Sequence, residues 1–291
     1  MRIVLAVDAS PDSRNAAQII THLAEPPDLD VLNVVDVEAL QHAFITPAMP
    51  ADYYETYRKE VSELAERILH EMRAELTPYA RQIRLIADTG DAAESIIQTA
   101  EESAAQLVIM GQRGMTATPT FLLGGVSQKV ATYAPCSVLV VKHSGAVLDR
   151  ILLAVDGSDE ANKAVTFLAR APFRGPVRLT VVSAWPPQRS EPFVSPIPQH
   201  PSPTPVTELV QTRGEDLVRN VAAAFQGGPY EVETEWLQGD PAFSILESAG
   251  RHQAQMIVVG ARGLKAIKRF FLGSVSQKVL VHAPCSVLIV R

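Results

Sequence analysis
Short runs of β-branched and aliphatic residues alternate along this chain with longer stretches whose apolar positions recur at helical spacing. The runs predict strands near residues 2 to 7, 30 to 36, 82 to 87, 106 to 110 and 137 to 142. A second series falls near 150 to 155, 176 to 183, 231 to 237, 255 to 259 and 286 to 290, with helices filling the gaps. Strands alternating with helices give βαβ units and a parallel sheet. Leu107 to Met110 and Met256 to Val259 are apolar at every position, as expected of strands covered by helices on both faces. Ser10 and Ser158, each followed by acids, stand where the helices after the first strand of each series would begin.

The two series are copies of one another. Gly111 and Gly114 recur as Gly260 and Gly263, Val126 to Val130 as Val275 to Val279, and Ala134 to Val138 as Ala283 to Val287, all at an offset of 149. The openings Arg2 to Asp8 and Arg150 to Asp156 match at an offset of 148. A duplication of this length decides the architecture before any motif is considered. It predicts two α/β domains, residues 1–146 and 147–291, with the boundary near Ser144 to Leu148. Trp185 to Pro205 breaks the pattern with eight prolines and no periodicity, and is expected to be an extended or mobile loop.

Composition narrows the function classes. Two domains suit 291 residues, and 47% apolar against 20% charged residues is enough for packed cores. A net charge of −6 provides no broad basic field, so no nucleic-acid partner is expected and any phosphate site must be local. The apolar run of Met1 to Val7 is cut by Asp8 and reads as a strand, not as a signal-peptide core. No apolar stretch approaches the roughly 18 residues of a membrane-spanning helix. With two cysteines there is neither a disulfide framework nor a cysteine-rich zinc site, and a cytoplasmic location is expected. Cys136 and Cys285 read as small buried hydrophobes at the start of the fifth strands.

The candidate chemistry lies after the fourth strand of each half. Gly-x-x-Gly, nine residues, Gly-Gly or Gly-Ser, and then a helix reading Val-Ser-Gln-Lys-Val follow one another there. Glycines admit close backbone approach, and the first N–H groups of a helix lack internal partners and sit at its positive dipole end. Both features favour an anion. Ser127, Ser274 and Ser276 would add hydroxyl donors. In open α/β sheets ligands bind beyond the carboxyl ends of strands. Asp8 and Asp156 would therefore face the loops if the first and fourth strands are neighbours, with carboxylates for ribose hydroxyls. A cap or turn role for these aspartates stays open. The Walker sequence is absent, no base to orient water is evident, and the histidines show no zinc-hydrolase spacing.

These motifs resemble the universal stress protein family in its tandem form, over nearly the whole chain. Gly260, Gly263, Gly273 and Ser274 match the family's phosphate motif in full, whereas Gly111, Gly114 and Gly124 are followed by Gly125 where a hydroxyl residue belongs. The resemblance implies two doubly wound domains, each a five-stranded parallel sheet of order 3-2-1-4-5. It further implies pairing through the last strand, here within the chain between Val138 to Val141 and Val287 to Val290. A homodimer is left open. For the ligand it implies ATP, or AMP or ADP, with Mg or Mn carried on the phosphates. The implied nucleotide contacts are Ala6, Val7, Asp8, Val34, Gly111, Arg113, Gly114, Gly124, Gly125, Val126 and Ser127 in the first half. Those of the second are Ala154, Val155, Asp156, Val181, Gly260, Arg262, Gly263, Gly273, Ser274, Val275 and Ser276. Ser274, with Lys265, Lys268 and Arg269 in the second loop, makes the C-terminal half the expected first site. The function implied is a stress-response regulator that switches shape or partners when ATP binds. A slow ATPase and a nucleotide-independent scaffold remain as alternatives.

Overall fold
The computed structural model describes residues 1–35, 51–114, 123–142, 148–170, 173–186, 206–263 and 272–291. Residues 144–147 of the expected boundary, 187–205 of the proline-rich loop, and Lys265, Lys268 and Arg269 lie outside them. The first half runs β1 (Arg2–Ala6), α1 (Pro11–Gln18), β2 (Asp28–Val35), α2 (Ala51–Leu76), β3 (Gln82–Thr89), α3 (Ala92–Glu102), β4 (Leu107–Gly111), α4 (Gly125–Tyr133) and β5 (Ser137–Val141). The second runs β6 (Arg150–Ala154), α5 (Asp159–Arg170), β7 (Val177–Trp185), α6 (Val206–Ala223), β8 (Tyr230–Gln238), α7 (Pro241–Arg251), β9 (Met256–Gly260), α8 (Ser274–His282) and β10 (Ser286–Val290).

All ten strands form one sheet in the order β3-β2-β1-β4-β5-β10-β9-β6-β7-β8. Pairing is parallel within each half and antiparallel where β5 meets β10. There Leu288 lies opposite Leu139, Val287 opposite Val140 and Ile289 opposite Val138. Leu139 and Leu288 are equivalent positions of the repeat, so a local two-fold axis passes through the junction. Ala6 opposite Leu32 and Ala6 opposite Met110 place β1 between β2 and β4, which is the doubly wound switch point.

Two apolar layers sandwich the sheet. One joins alternate residues Ile3, Leu5, Val31, Ile109 and Leu139 to Ala16 and Ala17 of α1 and to Leu69 and Met72 of α2. The other joins Val4, Leu32, Val108, Met110 and Val138 to Ile96 of α3 and Val130 of α4. Both layers continue into the second half, through Leu288 and Val290 in the first and Val287 and Ile289 in the second. Burial on two faces explains why these strands lack polar alternation. The Cys136 and Cys285 side chains are buried, and burial pushes the thiols up to about 11 and about 12.

The strand boundaries differ from expectation at β2, which begins at Asp28 and not at residue 30. Two aspartates in a strand are unfavourable on their own. Here the Arg81 guanidinium bonds the Asp28 carboxylate and holds it below the usual range, and Arg84 bonds both oxygens of Asp30 at 2.8 Å. Arg84 belongs to the neighbouring edge strand β3, and Arg81 immediately precedes it.

Candidate functional site
Helix α1 approaches β4 closely enough to set the geometry of the first glycine loop. Ser10 caps the helix, its Oγ accepting the N–H of Ser13, and Pro11 takes the first helical position. The Ser10 N–H donates to Asp8 Oδ1 at 2.9 Å, which fixes the carboxylate at the end of β1. A Cβ on Gly114 would lie 2.8 Å from Asp8 Oδ2, and one on Gly263 would lie 2.5 Å from Asp156 Oδ2. Both aspartates therefore face the glycine loop of their own half.

The loop is tied back on itself. The Gly124 N–H donates to the carbonyl of Gln112 at 3.1 Å, and the Gly273 N–H to that of Ala261 at 2.8 Å. The hydroxyls expected to meet phosphate are partly committed elsewhere. Ser127 is buried and its Oγ donates to the carbonyl of Gln112 at 2.7 Å, and Ser276 Oγ donates to that of Gly260 at 2.7 Å. These two serines brace the loop against its helix. Ser274 is exposed at the first position of α8, where Gly125 stands in α4.

Gly125 has open space around it: nothing lies within 4 Å of an added Cβ, and its φ is not positive. Gly125→Ser should fold unchanged and gain about 0.5 kcal/mol from reduced unfolded-state freedom. Urea unfolding of the two proteins checks this, and a loss of stability would show that the position is not open.

All eleven residues expected in the first half, from Ala6 to Ser127, line one cavity of about 1120 Å³. That is slightly above the usual range for small-molecule sites, about 300–1,000 Å³. Gln112, Ser10 and Asn33 add polar groups to its wall. The far wall is one face of α2, where Val61, Leu64 and Ile68 stand with the charged Glu60 and Arg67. The helical spacing of these α2 residues is visible in the sequence, but which face meets the loop is not.

Electrostatics differ between the halves. Arg113 Nε is buried without a hydrogen-bond partner among the described residues. Its counterpart Arg262 lies 3.5 Å from Glu160 Oε1. Where Glu160 stands the first half has Asp12, whose carboxylate instead accepts the main-chain N–H of Arg113 at 3.1 Å. Next to the cavity-lining Gln128, Lys129 Nζ bonds Glu94 at 3.0 Å and Asp91 at 3.2 Å; the bond to Glu94 chiefly raises its pKa. Lys278 has Asp240 at 3.4 Å, and Phe243 takes the place of Glu94.

One expected contact is misplaced. Val181 is fully buried in the layer beneath α5 and α6 and does not correspond to Val34. The Val7 N–H meets the carbonyl of Leu32 and the Val155 N–H that of Val182, so the partner of Val34 is Ala184. A shift of three residues turns a strand side chain to the opposite face. Ala154 and Val155 stand at the end of β6 as Ala6 and Val7 do at the end of β1.

Residues 1–142 and 148–291 each match the family model described as universal stress protein family. The chain belongs to that family, as a tandem of two of its domains. A universal stress protein of Thermus aquaticus is 42% identical over 144 residues, covering 48% of this chain and 97% of its own length. One from Mycolicibacterium smegmatis is 30% identical over 206 residues, covering 68% of this chain and 66% of its own. The crystal structure of a universal stress protein from Archaeoglobus fulgidus superposes with a TM-score of 0.64 at 21% identity, covering 100% of this chain and 96% of that one. That likeness extends the shared fold over both stress-protein domains. No helix among the described residues is long and apolar enough to cross a membrane.

Proposed function
We propose that this tandem stress protein binds an adenine nucleotide and changes shape or partners with occupancy, and that the first-half cavity is its principal site. The observation that carries the reading is convergence: the first glycine loop, Asp8, Val34 and the start of α4 meet in one cavity. In this reading the phosphates lie on the free N–H groups at the start of α4, where dipole and donors both favour anions. The buried Nε of Arg113 supports it, since an unpaired buried guanidinium donor is costly and a phosphate oxygen would satisfy it. Asp8 takes ribose hydroxyls, and the apolar stretch from Val34 to Leu64 and Ile96 takes the base. Mg or Mn enters on the phosphates; no group of carboxylates and histidines among the described residues forms a cage for it.

The second half keeps Ser274 but offsets Arg262 with Glu160, which weakens the electrostatic case for its filling first. Titration calorimetry with ATP and Mg on the full chain tests the reading. Gly114→Val, which crowds Asp8 within the cavity, should lower the affinity of one site about 100-fold, roughly 2.7 kcal/mol. Gly263→Val should affect the other site. The absence of heat in the parent, or unchanged binding in both variants with folding intact, overturns the assignment.

A further inference from the structure
The helix that begins at each glycine loop ends on a cation from the opposite half. Lys142 follows β5, its side chain is buried, and its Nζ donates to the carbonyls of Ala283 at 3.0 Å and Val281 at 3.3 Å. These are at the C-terminal end of α8. Arg291 follows β10 and donates to the carbonyls of Ala131 at 2.6 Å and Thr132 at 3.0 Å, in the last turn of α4, and to that of Cys136 at 3.1 Å, just before β5. The main chain repeats the exchange: the Lys142 N–H reaches Ser286 Oγ and the Arg291 N–H reaches Ser137 Oγ, both at 3.3 Å. The last carbonyls of a helix lack internal partners and carry its negative dipole end, so a cation there holds the helix in place.

The residue before each cation is bonded to the glycine loop of its own half. The Gln112 N–H donates to the carbonyl of Val141 at 2.8 Å, and the Ala261 N–H to that of Val290 at 2.8 Å. A contiguous path therefore runs from the first glycine loop through Val141 and Lys142 into α8, whose other end is the second glycine loop. The reciprocal path runs through Val290 and Arg291 into α4. Each helix spans nine residues, about 13 Å, and is short enough to move as a rod.

We propose that Lys142 and Arg291 couple the two sites, so that occupancy at one glycine loop changes the order of the phosphate-binding helix at the other. The inference rests on the nucleotide-binding reading for its ligand, but the path itself is a property of the ligand-free chain. A coupling of ordinary strength changes affinity by about fivefold or more.

Amide hydrogen exchange on the full chain tests this in two arms. In a Gly263→Val background, where the second site is blocked, ATP should slow exchange across α8 at least about threefold while calorimetry shows binding at the first site. Adding Lys142→Met should keep the heat and abolish the response in α8, and Lys142→Arg should restore it, which a purely structural role would not require. Measurable heat with α8 unchanged overturns the coupling. Absence of heat overturns the nucleotide reading instead, and the ligand-free arm then decides. Gly114→Val should alter α8 exchange in the otherwise unchanged chain but not when combined with Lys142→Met; identical α8 exchange in the parent and Gly114→Val overturns the coupling by itself.

Discussion

Gly111→Ala should lower the unfolding free energy by about 3 kcal/mol, the upper end of the usual cost of overpacking. The new Cβ would lie 2.7 Å from the carbonyl carbon of Asp12 and 2.9 Å from its oxygen. Those atoms belong to the first turn of α1, so relief requires moving a helix and not rotating a side chain. Gly260→Ala repeats the collision in the second half, with the Glu160 carbonyl carbon at 2.7 Å and oxygen at 2.8 Å. The same close approach brings Ser10 beside the glycine loop, where its Oγ lies 3.2 Å from the carbonyl of Arg113. The glycine thus serves both packing and site assembly. Urea unfolding measures the loss, with Gly125→Ser as the control that tolerates a side chain. A Gly111→Ala protein within 0.5 kcal/mol of the parent would show that α1 can withdraw from β4, and the account of the loop's geometry would fail.

The contrast between Gly111 and Gly125 also shows what a sequence discloses. Glycine spacing located both loops, because the backbone conformation and close approach it permits are local demands. Strands such as Leu107–Gly111 were legible because burial on both faces leaves a continuous apolar run. The start of β2 was not, because Asp28 and Asp30 depend on Arg81 and Arg84, more than 50 residues away. Val181 stands on the face opposite the expected one for a similar reason. Leu32 and Val182, paired with Ala6 and Ala154, are 150 positions apart where the β1 and β6 residues themselves are 148 apart. The longer connection changes the alignment of the second strand, and with an odd error the inferred face is wrong. The difference between Arg113 and Arg262 turns on one methylene, Asp12 against Glu160, and becomes visible only when α1 and α5 are laid against their loops.

Arg291→Met should cost about 3 kcal/mol, because two carbonyls in the last turn of α4 and that of Cys136 before β5 lose a charged donor and the replacement cannot bond them. Part of the gross interaction is already offset: burial is the main cause pulling the guanidinium pKa down. Lys142→Met should cost less at neutral pH, about 1 kcal/mol, since it makes two longer bonds and burial lowers the amine to about 8. That shift sets a pH dependence with a definite sign. The folded chain releases the Lys142 proton near pH 8 and the unfolded chain near 10.5, so between them the unfolded state binds more protons and stability rises with pH. Stability from this site is therefore complete above 10.5 and is lost as pH falls through 8. Of the groups facing the amine, the Cys285 thiol, pushed up to about 12, stays neutral across that window, and Arg113 disfavours its charge. Relative to Lys142→Met, the parent should gain about 1.6 kcal/mol between pH 8 and 9.5, because the folded amine is half protonated at pH 8 and the slope approaches about 1.4 kcal/mol per pH unit only above it. The cost of Arg291→Met should stay flat, because a guanidinium does not titrate in that range. Urea unfolding of the three proteins at both pH values gives the comparison. If the Lys142→Met difference is also flat, the amine is better solvated than its crossed position between the halves implies.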